Sequence, residues 1–352
     1  MNEKELPIPH HFDKKRVDKV WKVDYLNRAN DARQWAKQLD IKPSSEDKFR
    51  IGLLIVDMQN TFCNPNFELF VSGRNGKGAL DDVSRLCSFI YKNLSAITEI
   101  IPTMDTHLPI QIFHPIFLID NHGEHPAPYT LISVEDIENG KWKINPDVYS
   151  IPGIDQKYSS GYLLHYTKQL KKSGKYNLTI WPYHAMLGGI GHALVSSLEE
   201  AIFFHSIVRY AQPGNQIKGN NPFTEHYSVF GPEITKDING NNIAVKNIAL
   251  IDKLMNFDAI IIAGEAKSHC IAWTIEDLLN DFSLRGKKLI QKIYILEDCM
   301  SPVVVPNVID YTEQTDETFK KFSDAGMHIV KSTVPVNQWL GIIGKESKRL
   351  QN

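Results

Sequence analysis

The sequence predicts an α/β fold, a three-layer doubly wound arrangement around a mostly parallel sheet. Three observations predict it. Short continuous apolar runs recur along the chain, beginning with Ile51-Gly-Leu-Leu-Ile-Val56, as expected of strands buried on both faces. Segments with helical spacing fall between these runs, the alternation of crossover units on a parallel sheet. The 352 residues are 42% hydrophobic and 23% charged, as in a soluble globular protein.

Taken in order, residues 15–39 place Val17, Val20, Trp21, Tyr25, Ala32 and Trp35 at near-helical spacings. They predict one or two amphipathic helices docked on the body or on a partner subunit. Ile41-Lys-Pro-Ser-Ser-Glu-Asp-Lys48 has the composition of a linker. Strands are expected at 51–56, 97–104, 178–181, 259–263, 293–296 and 327–330. Helices are expected at 81–94, 192–209, 270–284 and 312–325. Residues 115–177 are rich in His, Pro, Gly, Tyr and charge without clear periodicity, and are expected to form a long lid-type insertion over one end of the sheet. Residues 210–247 are a second irregular stretch, in which Asn239-Gly240 suggests a hairpin. The expected organisation is an N-terminal helical extension at 1–48, a main domain at 49–335 carrying the 115–177 insertion, and a C-terminal tail at 336–352.

Lys plus Arg number 39 and Asp plus Glu 41, so a net charge of −2 makes no electrostatic case for nucleic acid or anionic membrane. Cys63, Cys87, Cys270 and Cys299 lack Cys-x-x-Cys spacing, which argues against a disulfide framework or a thiolate zinc site. The N-terminus has no signal-like apolar stretch, and no segment approaches the ~20 apolar residues of a membrane span. A cytoplasmic protein is the expectation.

In an open α/β sheet, ligands bind at the carboxyl ends of the parallel strands. Three predicted strands end in chemically capable residues: Asp57, the pair Asp105 and His107, and Cys270. Cys270 follows a small-residue turn and opens a helical pattern. Helix N–H groups and the positive dipole end lower a thiol's pKa from roughly 8.5. Taken alone, Cys270 also reads as a small buried hydrophobe. Asp57 alone also reads as a helix cap or turn former, and Asp105-x-His107 as a solvated loop.

Five ordered blocks carry more than any one of them. Asp57 is followed by Gln-Asn-x-Phe62, then come Asp105-x-His107, Trp181-Pro-Tyr-His184, Lys218-Gly before Tyr227-Ser-Val-Phe230, and Gly264-x-Ala266-x-x-x-Cys270. In order and rough spacing, over residues 50 to about 330, the chain resembles the nicotinamidase and isochorismatase-like cysteine hydrolases. The resemblance implies an isochorismatase-like hydrolase fold and a catalytic triad of Asp57, Lys218 and Cys270. The carboxylate takes the thiol proton, the ammonium favours the thiolate, and the thiolate attacks a carboxamide carbon. It also implies an oxyanion site at the start of the Cys270 helix, with a cis peptide between Glu265 and Ala266. Asp105, His107 and His184 match the metal ligands of the nicotinamidase branch, a set suited to zinc, with manganese or iron as alternatives. In that branch the metal binds a pyridine nitrogen and orients the ring. Phe62, Trp181 and Tyr227 match the positions that enclose the ring, although such aromatics also serve as core.

His114 reads either as an extra ligand or as a structural residue, and His269 is expected to point away from the site. Gly188, Gly189 and Gly191 lack the rest of a dinucleotide fingerprint. The chain departs from the family's pattern at Ala185, where a cysteine is usual, and at Lys267-Ser268, where Thr-Asp is common. These readings lead to a metal-assisted cysteine amidohydrolase that cleaves nicotinamide or a related small carboxamide through a thioester. The alternatives are a metal-independent hydrolase of another small amide or carbamoyl compound and a non-catalytic binding paralogue; an isochorismatase, which generally lacks the cysteine and metal residues, fits less well. A small-molecule amide as substrate and a homo-oligomeric state are the expected partnerships.

Overall fold

The computed structural model describes residues 5–151, 156–174, 176–341 and 343–344. Six parallel strands form the central sheet: β1 (Ile51–Val56), β2 (Glu99–Asp105), β3 (Gln216–Lys218), β4 (Ala259–Gly264), β5 (Ile293–Leu296) and β6 (His328–Val330). Their spatial order is β6-β5-β4-β1-β2-β3, so β1 and β4 lie at the centre. The all-apolar runs at 51–56 and 259–264 are buried at every position. Their two faces separate cleanly. Ile51, Leu53 and Ile55 join one core cluster, while Leu54 and Val56 join another. Burying each such side chain contributes roughly 1.5–3 kcal/mol, the reason these runs dictate the sheet.

Helices α1 (Tyr25–Gln38), α2 (Gly78–Lys92) and α4 (Ser196–Arg209) cover the first face. Helices α5 (Ile248–Met255), α6 (Ala272–Arg285) and α7 (Thr312–Asp324) cover the second. The three-layer α/β architecture follows from this packing. Between them in sequence, α3 (Gln156–Ser173) belongs to the insertion. Among the described residues, no helix is long and apolar enough to cross a membrane.

Several local expectations change. Residues 178–179 do not enter the central sheet; they pair antiparallel with Leu131–Ile132 in a separate two-stranded ribbon. The sixth strand is instead Gln216–Lys218, too short and polar to stand out in the sequence. The 115–177 insertion is more regular than its composition suggests. Leu118–Ile119 pairs with Lys143–Ile144, and Ser133 and Asp136 form a reciprocal capping box at Val134–Glu138. Tyr162, Leu163, Tyr166 and Leu170 of α3 pack with Phe117, Ile132, Ile144 and Leu178 in a core of the insertion's own. The tyrosines among these positions carry the apolar stripe, and the intervening His, Thr, Lys and Gln residues obscure it. Asn239-Gly240 does make a turn, closed by an isolated bridge between Lys236 and Asn242.

The N-terminal extension is docked on the body of its own chain. The Leu6 N–H donates to Lys92 O at 2.9 Å, and the Trp21 N–H donates to Ser196 Oγ at 2.9 Å. Of the predicted tail, residues 345–352 lie outside the described residues. Trp339 is buried and stacked on Phe89, so residues 336–341 pack as part of the body.

Beneath α4, the buried His205 ring N–H donates to Ile97 O at 2.9 Å. Burial pushes its pKa down to about 4, the bond to Ile97 opposing and the Arg209 charge reinforcing the shift. A folded-state pKa below the unfolded one gives stability that is complete above about 6.5 and is lost as pH falls toward 4. The expected loss is about 3 kcal/mol for this residue. Urea unfolding at pH 7 and pH 4.5 should show a smaller acid-induced loss for His205→Gln, which keeps a donor without titrating.

Candidate active site

Strand register gathers the site. Asp105 and Lys218 are direct neighbours across β2 and β3. Val56, just before Asp57, is paired with Gly264 at the end of β4, from which the chain runs on to Cys270. The carboxyl ends of four adjacent strands thus carry Lys218, Asp105, Asp57 and the segment leading to Cys270. Beyond β1 the backbone turns sharply. Asp57 has φ 46°, a left-handed conformation that a short polar residue tolerates. Its N–H donates to Thr103 Oγ1 at 3.1 Å, and that hydroxyl donates back to Asp57 Oδ1 at 2.5 Å.

The buried Lys218 ammonium is the hub. Its Nζ lies 2.8 Å from Asp57 Oδ2 and 3.0 Å from Asp105 Oδ1. It also donates to His226 O at 2.9 Å and lies 3.6 Å from Cys270 Sγ. Burial alone would lower its pKa, but the charges of Asp105, Asp57 and Cys270 outweigh burial and hold it well above the ordinary lysine value. The ammonium is therefore a fixed positive charge.

Burial raises the Asp57 pKa, with Lys218 opposing and Asp105 reinforcing the shift. Cys270 sits in a wide, π-type helical turn, Lys267–Ile271, that leads into α6. Its thiol is pushed well above the ordinary value by burial, against the pull of Lys218, and a hydrogen bond to Asp57 pushes the same way. The expectation that the helix start would lower this pKa is corrected: desolvation wins. The resting thiol is protonated, and its partner is a carboxylate of raised basicity.

Asp105, His107 and His184 converge, with ligand atoms all within 4.8 Å of one another. His107 Nε2 is 2.8 Å from Asp105 Oδ2, and His184 Nε2 is 3.8 Å from the same oxygen. The other ring nitrogens face carbonyls: His107 Nδ1 is 3.1 Å from Gly219 O, and His184 Nδ1 is 2.7 Å from Pro182 O. A carbonyl only accepts, so each Nδ1 carries a proton and each Nε2 is turned toward the Asp105 carboxylate. Two oriented imidazoles and one carboxylate fit a divalent metal, with carbonyls behind the rings as is usual for metal-binding histidines. Although burial favours the neutral carboxyl, the charge of His107 and then Lys218 holds Asp105 well below the usual carboxylate range. Burial lowers the His184 pKa, which keeps that ring neutral.

Residues without an assigned role in the sequence complete the frame. Gln59 Oε1 accepts the Asp105 N–H at 2.7 Å, and its Nε2 donates to Asp105 O at 2.8 Å. Gly219 has φ 95°, and a Cβ there would lie 2.6 Å from Asp105 Oδ1, so the Lys-Gly pair of the sequence has a steric cause. Gly264, with φ 129°, is equally constrained, because a Cβ would meet Val56 O at 2.0 Å. The Glu265–Ala266 peptide is cis.

Phe62, Trp181 and Tyr227 line one cavity with Cys270, Ala266 and the Asp105–His107–His184 set. Its empty volume is about 500 Å³, counting the open mouth. His269 also lines it, which corrects the expectation that it points away. Burial pushes His269 down to about 3, so it is neutral and a poor base. His114 lies behind the metal set, its ring 5.9 Å from that of His107. Glu225, in the same wall, carried no sequence signal: it is one acidic residue in an irregular stretch.

Fold and site together define a three-layer α/β protein with a buried Asp–Lys–Cys cluster beside a candidate metal set. No protein-family profile matches the chain, and no curated protein matches it. Among solved structures it is similar to an Acinetobacter baumanii nicotinamidase/pyrazinamidase, with 16% identity over 82% of this chain and 99% of that one, at a TM-score of 0.48. A yeast nicotinamidase bound to the inhibitor nicotinaldehyde matches with 17% identity over 80% of this chain and 99% of that one, at 0.49. A Pyrococcus horikoshii pyrazinamidase in complex with zinc matches with 17% identity over 80% and 99%, at 0.42. At these values the likeness carries no argument about activity, which rests on the side chains themselves.

Proposed function

We propose that this protein is a cysteine amidohydrolase that converts a small ring-bearing carboxamide, with nicotinamide the first candidate, to its acid and ammonia. One observation carries the reading: a buried ammonium stands 2.8 Å from Asp57 and 3.6 Å from Cys270 Sγ, and Cys270 lines a cavity with aromatic walls. A thiol, a carboxylate and a fixed cation so arranged have a direct chemical use. Asp57 takes the Cys270 proton as sulfur bonds to the carbonyl carbon, and Lys218 stabilises the developing thiolate. The C–N bond breaks, and nitrogen leaves as ammonia with the proton returned by Asp57. Asp57 then takes a proton from water, whose oxygen attacks the thioester; the acid leaves, and the freed Cys270 thiolate takes that proton back from Asp57. Ala266 and Cys270 both line the cavity, so their backbone N–H groups are the proposed oxyanion donors.

Phe62, Trp181 and Tyr227 are the proposed ring walls. Asp105, His107 and His184 would hold a divalent metal, zinc first; when bound, it would supply a Lewis-acid contact for a ring nitrogen and so fix the orientation of the amide. His107 and His184 would contribute their Nε2 atoms, and Asp105 its negative charge.

Wild-type protein is expected to bind about one zinc per chain by elemental analysis after dialysis, and His107→Ala with His184→Ala to bind none. Chelation of the wild type should raise KM for nicotinamide more than it lowers kcat. Unchanged turnover after chelation would favour the metal-independent reading. Screening primary amides for ammonia release tests the substrate class, and a protein that releases no ammonia from any of them would refute the amidase proposal.

A further inference from the structure

Glu225 is 3% exposed and lies in the cavity wall. Three donors converge on its carboxyl group. Trp181 Nε1–H donates to Oε1 at 3.1 Å, the Tyr227 hydroxyl donates to the same oxygen, and the Tyr166 hydroxyl donates to Oε2 at 3.2 Å. The Tyr166 oxygen also accepts the Glu225 N–H at 3.0 Å, so the two residues are joined twice. Trp181 Nε1–H is shared with Tyr227 OH at 3.0 Å, which closes a triangle of Trp181, Tyr227 and Glu225. Tyr166 belongs to α3, the long helix of the insertion, and is fully buried. One turn earlier on that helix, the Tyr162 hydroxyl donates to Phe223 O at 2.9 Å. The helix is thus bonded to the segment around Glu225 at two points.

We propose that Glu225 is a positioning residue through which the insertion helix sets the two aromatic walls of the substrate cavity. Trp181 and Tyr227 face the cavity, Glu225 supplies the acceptor that fixes their polar atoms, and Tyr166 fixes Glu225. The insertion is then a brace for the cavity. Its effect on turnover rests on the amidase reading; its effect on the Trp181 indole does not.

The protonation state supports the assignment. Burial pushes the Glu225 pKa up to about 8, the Tyr227 bond opposing and the Glu233 charge reinforcing it. As a neutral acid the group keeps Oε1 as an acceptor for Trp181 and Tyr227; when its proton sits on Oε2, the Tyr166 bond reverses and the carboxyl donates to the hydroxyl oxygen. Glutamine reproduces that pattern, with an amide oxygen for Oε1 and an N–H toward Tyr166. Leucine has nearly the same bulk and no acceptor, so it leaves buried donors unpaired.

The test compares Glu225→Gln, Glu225→Leu and Tyr166→Phe by two readouts. With nicotinamide as substrate, Glu225→Leu is expected to raise KM roughly tenfold with kcat within about threefold, and Glu225→Gln to stay within about twofold in both. In the ¹H–¹⁵N spectrum, the Trp181 indole resonance, assigned by its loss in Trp181→Phe, is expected to move in Glu225→Leu and to stay near its wild-type position in Glu225→Gln. It is also expected to move in Tyr166→Phe. A Trp181 resonance unmoved by Tyr166→Phe overturns the proposal, whether or not the protein hydrolyses amides. A folded Glu225→Leu protein with unchanged KM, or one that loses kcat alone, also overturns it. If wild-type protein leaves nicotinamide intact, the functional reading fails and the indole resonance still decides the positioning role.

Discussion

Cys270→Ala is expected to reduce ammonia release from the active amide by at least about 10⁴-fold while leaving the fold unchanged. The magnitude follows from losing a covalent route, in which removal of one member of a nucleophile-base unit costs nearly as much as removal of all. The fold should survive because the change removes one sulfur atom from a cavity wall rather than from the middle of the sheet. Circular dichroism and thermal unfolding check the fold, and a coupled ammonia assay checks the rate. Cys63, Cys87 and Cys299 are also buried and free. Burial holds each of their thiols above the ordinary value, as it does Cys270. Cys270 differs by its surroundings: an ammonium 3.6 Å from its sulfur, a carboxylate partner and an open cavity. The account therefore predicts that the other three tolerate serine with little loss of rate.

Lys218→Met should damage both activity and stability. Asp57 and Asp105 both lie within 3.0 Å of the same ammonium nitrogen. Removing that charge leaves the buried Asp57 carboxylate without a counter-ion beside Asp105, a change expected to cost about 3–5 kcal/mol. The sign with pH can be stated. Without Lys218 the Asp57 pKa, already raised by burial, rises further, so the variant is penalised at neutral pH and relieved as pH falls and that carboxyl protonates. The stability deficit relative to wild type should thus shrink between pH 7 and pH 5 in urea unfolding. A deficit that is constant with pH would show that packing, and not charge, is what the lysine supplies. Activity should fall with the deficit corrected for, because the thiolate loses its stabilising cation.

How much of this was legible in the sequence depended on which physical signal each element carried. The central strands were readable because strands buried on both faces must be apolar throughout, as Ile51–Val56 and Ala259–Gly264 are. Asp57, Asp105 and Cys270 could be suspected from their place after such runs. Lys218 could not, because β3 is three residues long with a polar composition; only the ordered blocks around it suggested a role. The insertion resisted for another reason. Its core is built from tyrosines and from two-residue strands whose partners lie as far apart as Leu131 and Thr179, and such pairing leaves no periodic trace. Glu225 is the extreme case: its significance lies in three donors, two of which, Trp181 and Tyr166, come from distant segments. The cysteine's electrostatics also needed coordinates, since the helix start argued for a lowered pKa and only the depth of burial reverses the sign.

The most direct test of the central claim is to find where the acyl group goes. Wild-type protein mixed with nicotinamide, quenched in acid within milliseconds and digested, should yield a peptide carrying a nicotinoyl mass on Cys270, with ammonia released in step. An acyl group on another residue, or ammonia released in a burst while Cys270 remains unmodified, would contradict the account.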